Sequence, residues 1–143
     1  MPTAPYPAFR ALDPFFRVVM EGLAPYVDGA HYFDTLADDV RFEFRYRMGG
    51  WPPEVVGRTA LMALYAGYGE SIELTRGDAL MVHPSGDGSV VTLEYEVHGQ
   101  VLHTGGPYDN RFVSIAFIEQ RKIVRWRDYI DSLAAWRALA GAG

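Results

Sequence analysis

Three stretches in the second half of the chain carry polar groups on alternate residues. They are Glu94-Tyr-Glu96-Val-His98-Gly99, Tyr108-Asp-Asn110-Arg-Phe112 and Trp126-Arg-Asp128-Tyr-Ile130. Side chains of a strand alternate between faces, so Glu94, Glu96 and His98 share one face, Tyr108 and Asn110 another, and Trp126, Asp128 and Ile130 a third. If the three faces line one pocket, three carboxylates and an imidazole converge among aromatic walls. Like charges that close cannot all stay ionised in an apolar cavity, so one pKa rises and an acid stands beside a base. Such a pair transfers protons next to a carbonyl or a leaving group. The expected roles are Asp128 as general acid or base, with Glu96 as its partner and Glu94 beside them. His98 would tune protonation or hold substrate. Tyr108 and Asn110 would donate hydrogen bonds to a developing oxyanion, and Trp126, Phe44, Tyr46 and Phe112 would wall the substrate.

Each residue also has a plainer reading. Asp128 lies beside Arg125 and Arg127 in sequence and could form a surface salt bridge. Glu94 and Glu96 could sit on a solvated sheet face. His98 before Gly99 could end a strand, Asn110 could cap a loop, and the aromatics could be ordinary core. Register decides between the two sets, because a slip of one residue turns every side chain to the other face. Glu96 and His98 at i, i+2 could bind a metal with Asp128, but His31, His83 and His103 offer no helical i, i+4 pairing with another histidine. Neither a metal nor a cofactor is expected. The chain has no Gly-rich phosphate loop, nucleophile elbow or dinucleotide fingerprint.

The elements that must position these residues follow from periodicity. Residues 1–11 hold three prolines and read as a loose lead-in. Asp13-Pro14 is a helix start, and Phe15, Phe16, Val18, Val19 and Leu23 form an apolar stripe that Pro25 ends. Asp28 is placed to cap a second short helix with Tyr32, Phe33 and Leu36, and Ala37–Asp39 would turn the chain. Val40, Phe42, Phe44 and Tyr46 alternate with Arg41, Glu43, Arg45 and Arg47 in a strand. Met48–Gly57 reads as a loop and about 58–69 as a third helix. The remaining strands are expected at 71–76, 77–84, 88–98, 107–119 and 122–130, with turns at Ser85–Gly88 and Glu119–Lys122. Gly99–Pro107 is a glycine-rich connection, and a short helix with Leu133, Trp136 and Leu139 closes the chain. This order predicts an α+β fold. About three N-terminal helices and a short C-terminal helix would enclose one pocket against a cone-shaped, strongly curved antiparallel or mixed sheet.

The 143 residues suit a single domain over 1–143. With 49% hydrophobic and 22% charged residues, the chain should fold without a partner. A net charge of −5 with no basic cluster argues against nucleic acid and anionic membranes. The lack of cysteine excludes disulfides and thiolate chemistry. No signal peptide or spanning segment is recognisable, and a cytoplasmic location is expected.

Ala37-Asp-Asp-Val-Arg-Phe-Glu-Phe44, Val56-Gly-Arg-Thr-Ala-Leu61 and Lys122-Ile-Val-Arg-Trp-Arg-Asp-Tyr-Ile-Asp131 resemble the nuclear-transport-factor-2-like superfamily. Within it, the chain is most similar to the SnoaL-like, polyketide-cyclase-like branch, over roughly residues 12–140. Trp126-Arg-Asp-Tyr-Ile-Asp131 is similar to a motif of limonene-epoxide hydrolase. That resemblance puts one catalytic acid at Asp128 and the other at Glu96, but Glu94 replaces the Arg, and Phe42 and Phe44 replace the water-orienting Tyr and Asn. The phenazine-biosynthesis A/B proteins have Glu-x-Asp-x-His-Gly and Tyr-x-Asn-x-Phe strands, which Glu94–Gly99 and Tyr108–Phe112 resemble, with Asp128 in the last strand. This implies acid–base chemistry on a small carbonyl or imine compound. Ketosteroid isomerase would place its base near Phe44 and its oxyanion-hole acid near Val113 or Ser114, none of them acidic, so that activity is not expected.

The resulting expectation is a cofactor-independent enzyme of isomerase, cyclase, dehydratase or hydrolase type, acting on a small, apolar or carbonyl-type metabolite. The alternative is a non-catalytic small-molecule binding protein on the same fold. The strand Val113–Ile118 is apolar on both sides, so its outer side should meet a second sheet in a homodimer, as is typical of that superfamily.

Overall fold

The computed structural model describes residues 6–47 and 51–140. Residues 1–5 of the expected lead-in and Met48–Gly50 of the expected loop lie outside them. The rest of the lead-in is not loose: Pro7–Leu12 forms a 3-10 helix that buries Phe9 and Leu12. Helix α1 (Asp13–Leu23) follows, with Pro14 in its first turn, where a missing N–H removes no helical bond. Its stripe of Phe15, Phe16, Val18, Val19 and Leu23 is buried. The short helix after it spans Tyr32–Thr35 and is 3-10. His31 caps it rather than Asp28: its Nδ1 accepts from the Phe33 N–H at 3.0 Å, and Asp34 accepts from the His31 N–H at 3.2 Å.

Strand β1 runs over Leu36–Phe44, so Ala37–Asp39 is strand and not a turn. The loop after it contains a short strand, β2 (Glu54–Val56), and helix α2 spans Arg58–Tyr68. Residues 71–84, read as two strands, form one: β3 (Ile72–Pro84). Two register shifts, at Leu74/Arg76 and Asp78/Met81, break its alternation and mimic a boundary. β4 (Val90–Val101) extends into the expected connection, β5 (Pro107–Glu119) and β6 (Lys122–Ile130) match the expected ranges, and α3 (Ser132–Ala140) closes the described chain.

The six strands form one sheet in the order β2-β1-β6-β5-β4-β3. All neighbours are antiparallel except β1 and β6, which run parallel and set Phe44 beside Asp128. The bulges in β3 increase its twist and curl that end of the sheet. The helices cover the concave face: α1 packs on β3 and β4, α2 on β1, and α3 on β5. This is the cone-shaped α+β architecture with a mixed sheet. Its core is aromatic. Trp126 stacks on Phe42 at 5.8 Å and meets Tyr32 edge-on at 5.2 Å, while Tyr95 stacks on Phe112 at 5.1 Å. Pairs of this kind contribute roughly 0.5–1.5 kcal/mol beyond area burial. Among the described residues, no helix is long and apolar enough to cross a membrane.

Candidate active site

Among the described residues, the concave face of the sheet carries one buried carboxylate. Asp128 is 2% exposed, on the same face of β6 as Trp126. Alternation sends its sequence neighbours outward, and Arg127 pairs there with Glu43 at 2.7 Å. Asp128 therefore makes no salt bridge among the described residues. Its Oδ1 accepts from Trp126 Nε1 at 2.5 Å and from Ser114 Oγ at 2.6 Å. The Tyr95 hydroxyl lies 2.7 Å from Ser114 Oγ. Since Ser114 gives its proton to Asp128, Tyr95 donates to Ser114, and the chain Tyr95–Ser114–Asp128 is polarised in one direction. Both donors converge on Oδ1, which leaves Oδ2 to carry the proton.

Burial pushes the Asp128 carboxyl up to about 7, against the opposing pull of the Ser114 and Trp126 hydrogen bonds. A group poised there can both take and give a proton at neutral pH. Burial also raises the phenols of Tyr32, Tyr65, Tyr68 and Tyr95 well above their usual range, so they stay neutral donors. Ser114→Ala should raise the Asp128 pKa further, because it removes a donor that favours the charged form and leaves Tyr95 unpaired. A carboxyl-carbon NMR titration reads this directly; an unchanged or lower pKa would contradict the assigned hydrogen bond.

Asp128 lines a small interior cavity of about 30 Å³, room for one or two waters. Phe15, Tyr65, Tyr68, Phe112, Phe44 and Tyr46 are among its walls. A second polar chain reaches it from the side. Asn110 Nδ2 donates to the Tyr108 hydroxyl at 2.9 Å, and that hydroxyl lies 3.0 Å from the Tyr68 hydroxyl. Asn110 Oδ1 meanwhile accepts from the Arg111 and Asp131 N–H groups, which ties β5 to the start of α3. Trp51 lines the same cavity beside Tyr46, and neither its buried Nε1–H nor the Tyr32 hydroxyl makes a well-formed hydrogen bond among the described residues. An unmet buried donor in a cavity wall is a place for an acceptor atom.

Glu94, Glu96 and His98 are not in this cavity. On β4 the inward positions are Val91, Leu93, Tyr95 and Val97, and the acidic residues and His98 alternate with them on the convex face. The sheet itself separates them from Asp128, so neither the acid pair of Glu96 with Asp128 nor a Glu96–His98–Asp128 metal set exists in the fold. The apolar partners of the helices had to face inward, and period two then put the charges outside. There, His98 Nδ1 bonds Asp109 at 2.7 Å and Nε2 bonds Asp78 at 3.0 Å, and Glu94 meets His83 at 2.7 Å. The Asp109 and Asp78 bonds raise the His98 pKa. Asp78, Glu96 and His98 could hold a cation, with donor atoms within 4.8 Å of one another; as they stand they form, with Asp109, a charge network joining β3, β4 and β5.

The fold thus brings together Asp128, Phe44, Tyr46 and Phe112 around the cavity, with Trp126 behind Asp128 as its hydrogen-bond donor and Tyr108 and Asn110 behind Tyr68. It adds Ser114, Tyr95, Tyr65, Tyr68 and Trp51. A sequence signal existed for Ser114, a lone hydroxyl in the apolar run Val113–Ile118, in phase with Tyr108, Asn110 and Phe112. Trp51 lies in a Gly- and Pro-rich loop, where no periodicity points to a side chain.

This cone recurs in solved structures. One, a "Putative Isomerase" from Bacillus subtilis, superposes with a TM-score of 0.74 and 27% identity over 94% of this chain and 93% of that one. A "putative polyketide cyclase" from Pseudomonas putida gives 0.67 and 19% over 93% and 98%. A phenazine biosynthesis-related protein from Pseudomonas aeruginosa gives 0.66 and 19% over 91% and 89%; these last two likenesses bear on the fold alone. Residues 15–126 match the SnoaL-like domain, and the chain belongs to that family. It is also 33% identical over 101 residues to the uncharacterized protein YesE of Bacillus subtilis (strain 168), covering 71% of this chain and 69% of that protein.

Proposed function

We propose that the protein is an acid–base enzyme of the isomerase type, acting on a small, mostly apolar carbonyl compound. The observation that carries this reading is Asp128: a buried carboxyl with no cationic partner, poised near neutrality at the wall of an aromatic cavity. Oδ2 would take a proton from the carbon beside the carbonyl and return it one or more atoms away. One carboxyl suffices for that, whereas epoxide hydrolysis would need a second acid and a cation that the concave face lacks among the described residues. The Trp51 N–H and the Tyr68 hydroxyl would stabilise the developing oxyanion. Tyr108 and Asn110 then act as positioning residues through Tyr68. Such proton transfer needs no cofactor. The test is incorporation of solvent deuterium at the carbon next to the carbonyl, across a panel of small ketones and aldehydes. Exchange by the wild type and none by Asp128→Asn supports the reading; equal exchange by both overturns it.

A second reading is a binding protein without chemistry. The outward placement of Glu94 and Glu96 favours it, since that leaves the cavity largely apolar. Asp128 argues against it, because a binding pocket for an apolar ligand gains nothing from an unpaired buried carboxyl, which costs stability.

The convex face supports a homodimer. Met81, Val113 and Tyr129 are exposed together on it at 55%, 37% and 40%, around an open groove of about 470 Å³. Val113→Asp should convert a dimer into monomers with little effect on the cone, since the side chain points away from the core. Sedimentation of both proteins at micromolar concentration checks this; a monomeric wild type would dispose of the dimer.

A further inference from the structure

Outside the cavity lies a larger open cleft, about 770 Å³, at the end of β1. It shares Phe44, Tyr46 and Trp51 with the interior cavity, so these rings form the partition between the two. Arg45 and Arg47 line it together with Trp136 of α3, which is 57% exposed. The chain carries a net charge of −5 and pairs several of its other arginines with acids. Arg45 and Arg47 have no salt-bridge partner among the described residues, and no described lining residue of the cleft is acidic. The nearest acids in sequence, Glu43 and Glu54, are held by Arg127 at 2.7 Å and by Arg41 at 2.9 Å. Two unneutralised guanidinium groups in a cleft that two indole rings also line make an anion site with apolar surface beside it. Its mouth is positive on an acidic molecule, which draws anions in by long-range attraction.

We infer that the substrate is an organic carboxylate with a flat apolar body. Its carboxylate would rest on Arg45 and Arg47, its body would lie against Trp51 and Trp136, and its reacting end would enter the Asp128 cavity. This rests on the reading of Asp128 as the acid–base group and adds the substrate class. The sizes agree with a division of labour, because about 30 Å³ admits only a small end group past Tyr46 and Trp51 while the rest stays in the cleft. The anion would remain outside the partition, so it would not meet the buried charge of Asp128.

The probes are 3-phenylpropionate and its neutral isostere 3-phenylpropionamide, titrated calorimetrically into the full chain. The expected result is a preference of about tenfold or more for the carboxylate, about 1.4 kcal/mol, weakening with added salt. R45Q/R47Q should lose that preference and keep the affinity for the amide, with an unchanged circular dichroism spectrum. D128N should keep the preference. Equal affinity for the two probes, an undiminished preference in R45Q/R47Q, or no binding of either probe would overturn the inference. Failure of the acid–base reading shows differently, as deuterium exchange surviving in D128N with the carboxylate preference intact.

Discussion

Asp128→Asn is expected to abolish turnover and, at the same time, to make the protein more stable at pH 8. The catalytic loss should be about 10²–10⁴-fold, the range supplied by a positioned acid–base group. The amide keeps Oδ1 as acceptor for Trp126 and Ser114, so the local hydrogen bonds survive. What disappears is the titration. In the folded protein the carboxyl has a pKa of about 7, against the ordinary 3.8. Between these values the folded state binds the proton more tightly than the unfolded chain, so stability falls as pH rises from about 4 to 7 and is level above. A shift of about three units corresponds to roughly 4 kcal/mol at most. Asn cannot titrate, so that slope should vanish in the variant. Urea melts at pH 5 and pH 8 measure it: the variant should gain on the wild type between the two. Activity within tenfold of wild type, or parallel pH dependences, would remove Asp128 from its proposed role.

Gly99→Ala should cost about 3 kcal/mol, the upper end of overpacking penalties, and cripple folding at 37 °C. A Cβ at this position would stand 2.1 Å from the Glu73 carbonyl oxygen, 2.7 Å from Leu74 Cα and 2.9 Å from the Glu73 carbonyl carbon. All three are backbone atoms of β3, so no side chain can move aside. They approach because Gly99 pairs with Leu74 directly at a register shift of β3. Gly67→Ala is the control. Nothing lies within 4 Å of a Cβ there, and the helix should gain about 0.5–1 kcal/mol. Denaturant midpoints compare the two; an unperturbed Gly99→Ala would mean that β3 and β4 do not meet at this bulge.

That glycine also changes what the Glu94–Gly99 stretch means. Read as a sequence, Glu-x-Glu-x-His-Gly resembled the catalytic strand of the phenazine-biosynthesis proteins. In the fold its glycine admits a bulge, its acids and His98 hold charges across the convex face, and its inward residues are Tyr95 and Val97. Tyr95, an unremarked x of the pattern, is the member that touches the Asp128 network. The range of β5 was legible because its alternation is uninterrupted, and that of β6 because its one irregularity, between Ile123 and Arg125, lies close to its start. β3 was not, because two bulges disrupt period two in its middle, and β2 was not, because three residues carry too little pattern. Asp128 was legible as an acid in a strand, but its freedom from Arg125 and Arg127 was not, since adjacency in sequence means opposite faces in a strand.

The sequence by itself determined the class of fold, the aromatic lining and the presence of Asp128 in the last long strand. These rest on local periodicity, on composition and on motifs that neighbouring residues carry together. The tertiary structure alone decided which of four candidate acid–base residues faces the cavity. Facing is set by which side of each strand meets the helices, and that depends on packing between segments far apart in the chain. Helices α1 and α2 bury Val91, Leu93, Tyr95, Phe42 and Phe44, and this choice turned Glu94, Glu96 and His98 outward and left Asp128 inside with Ser114.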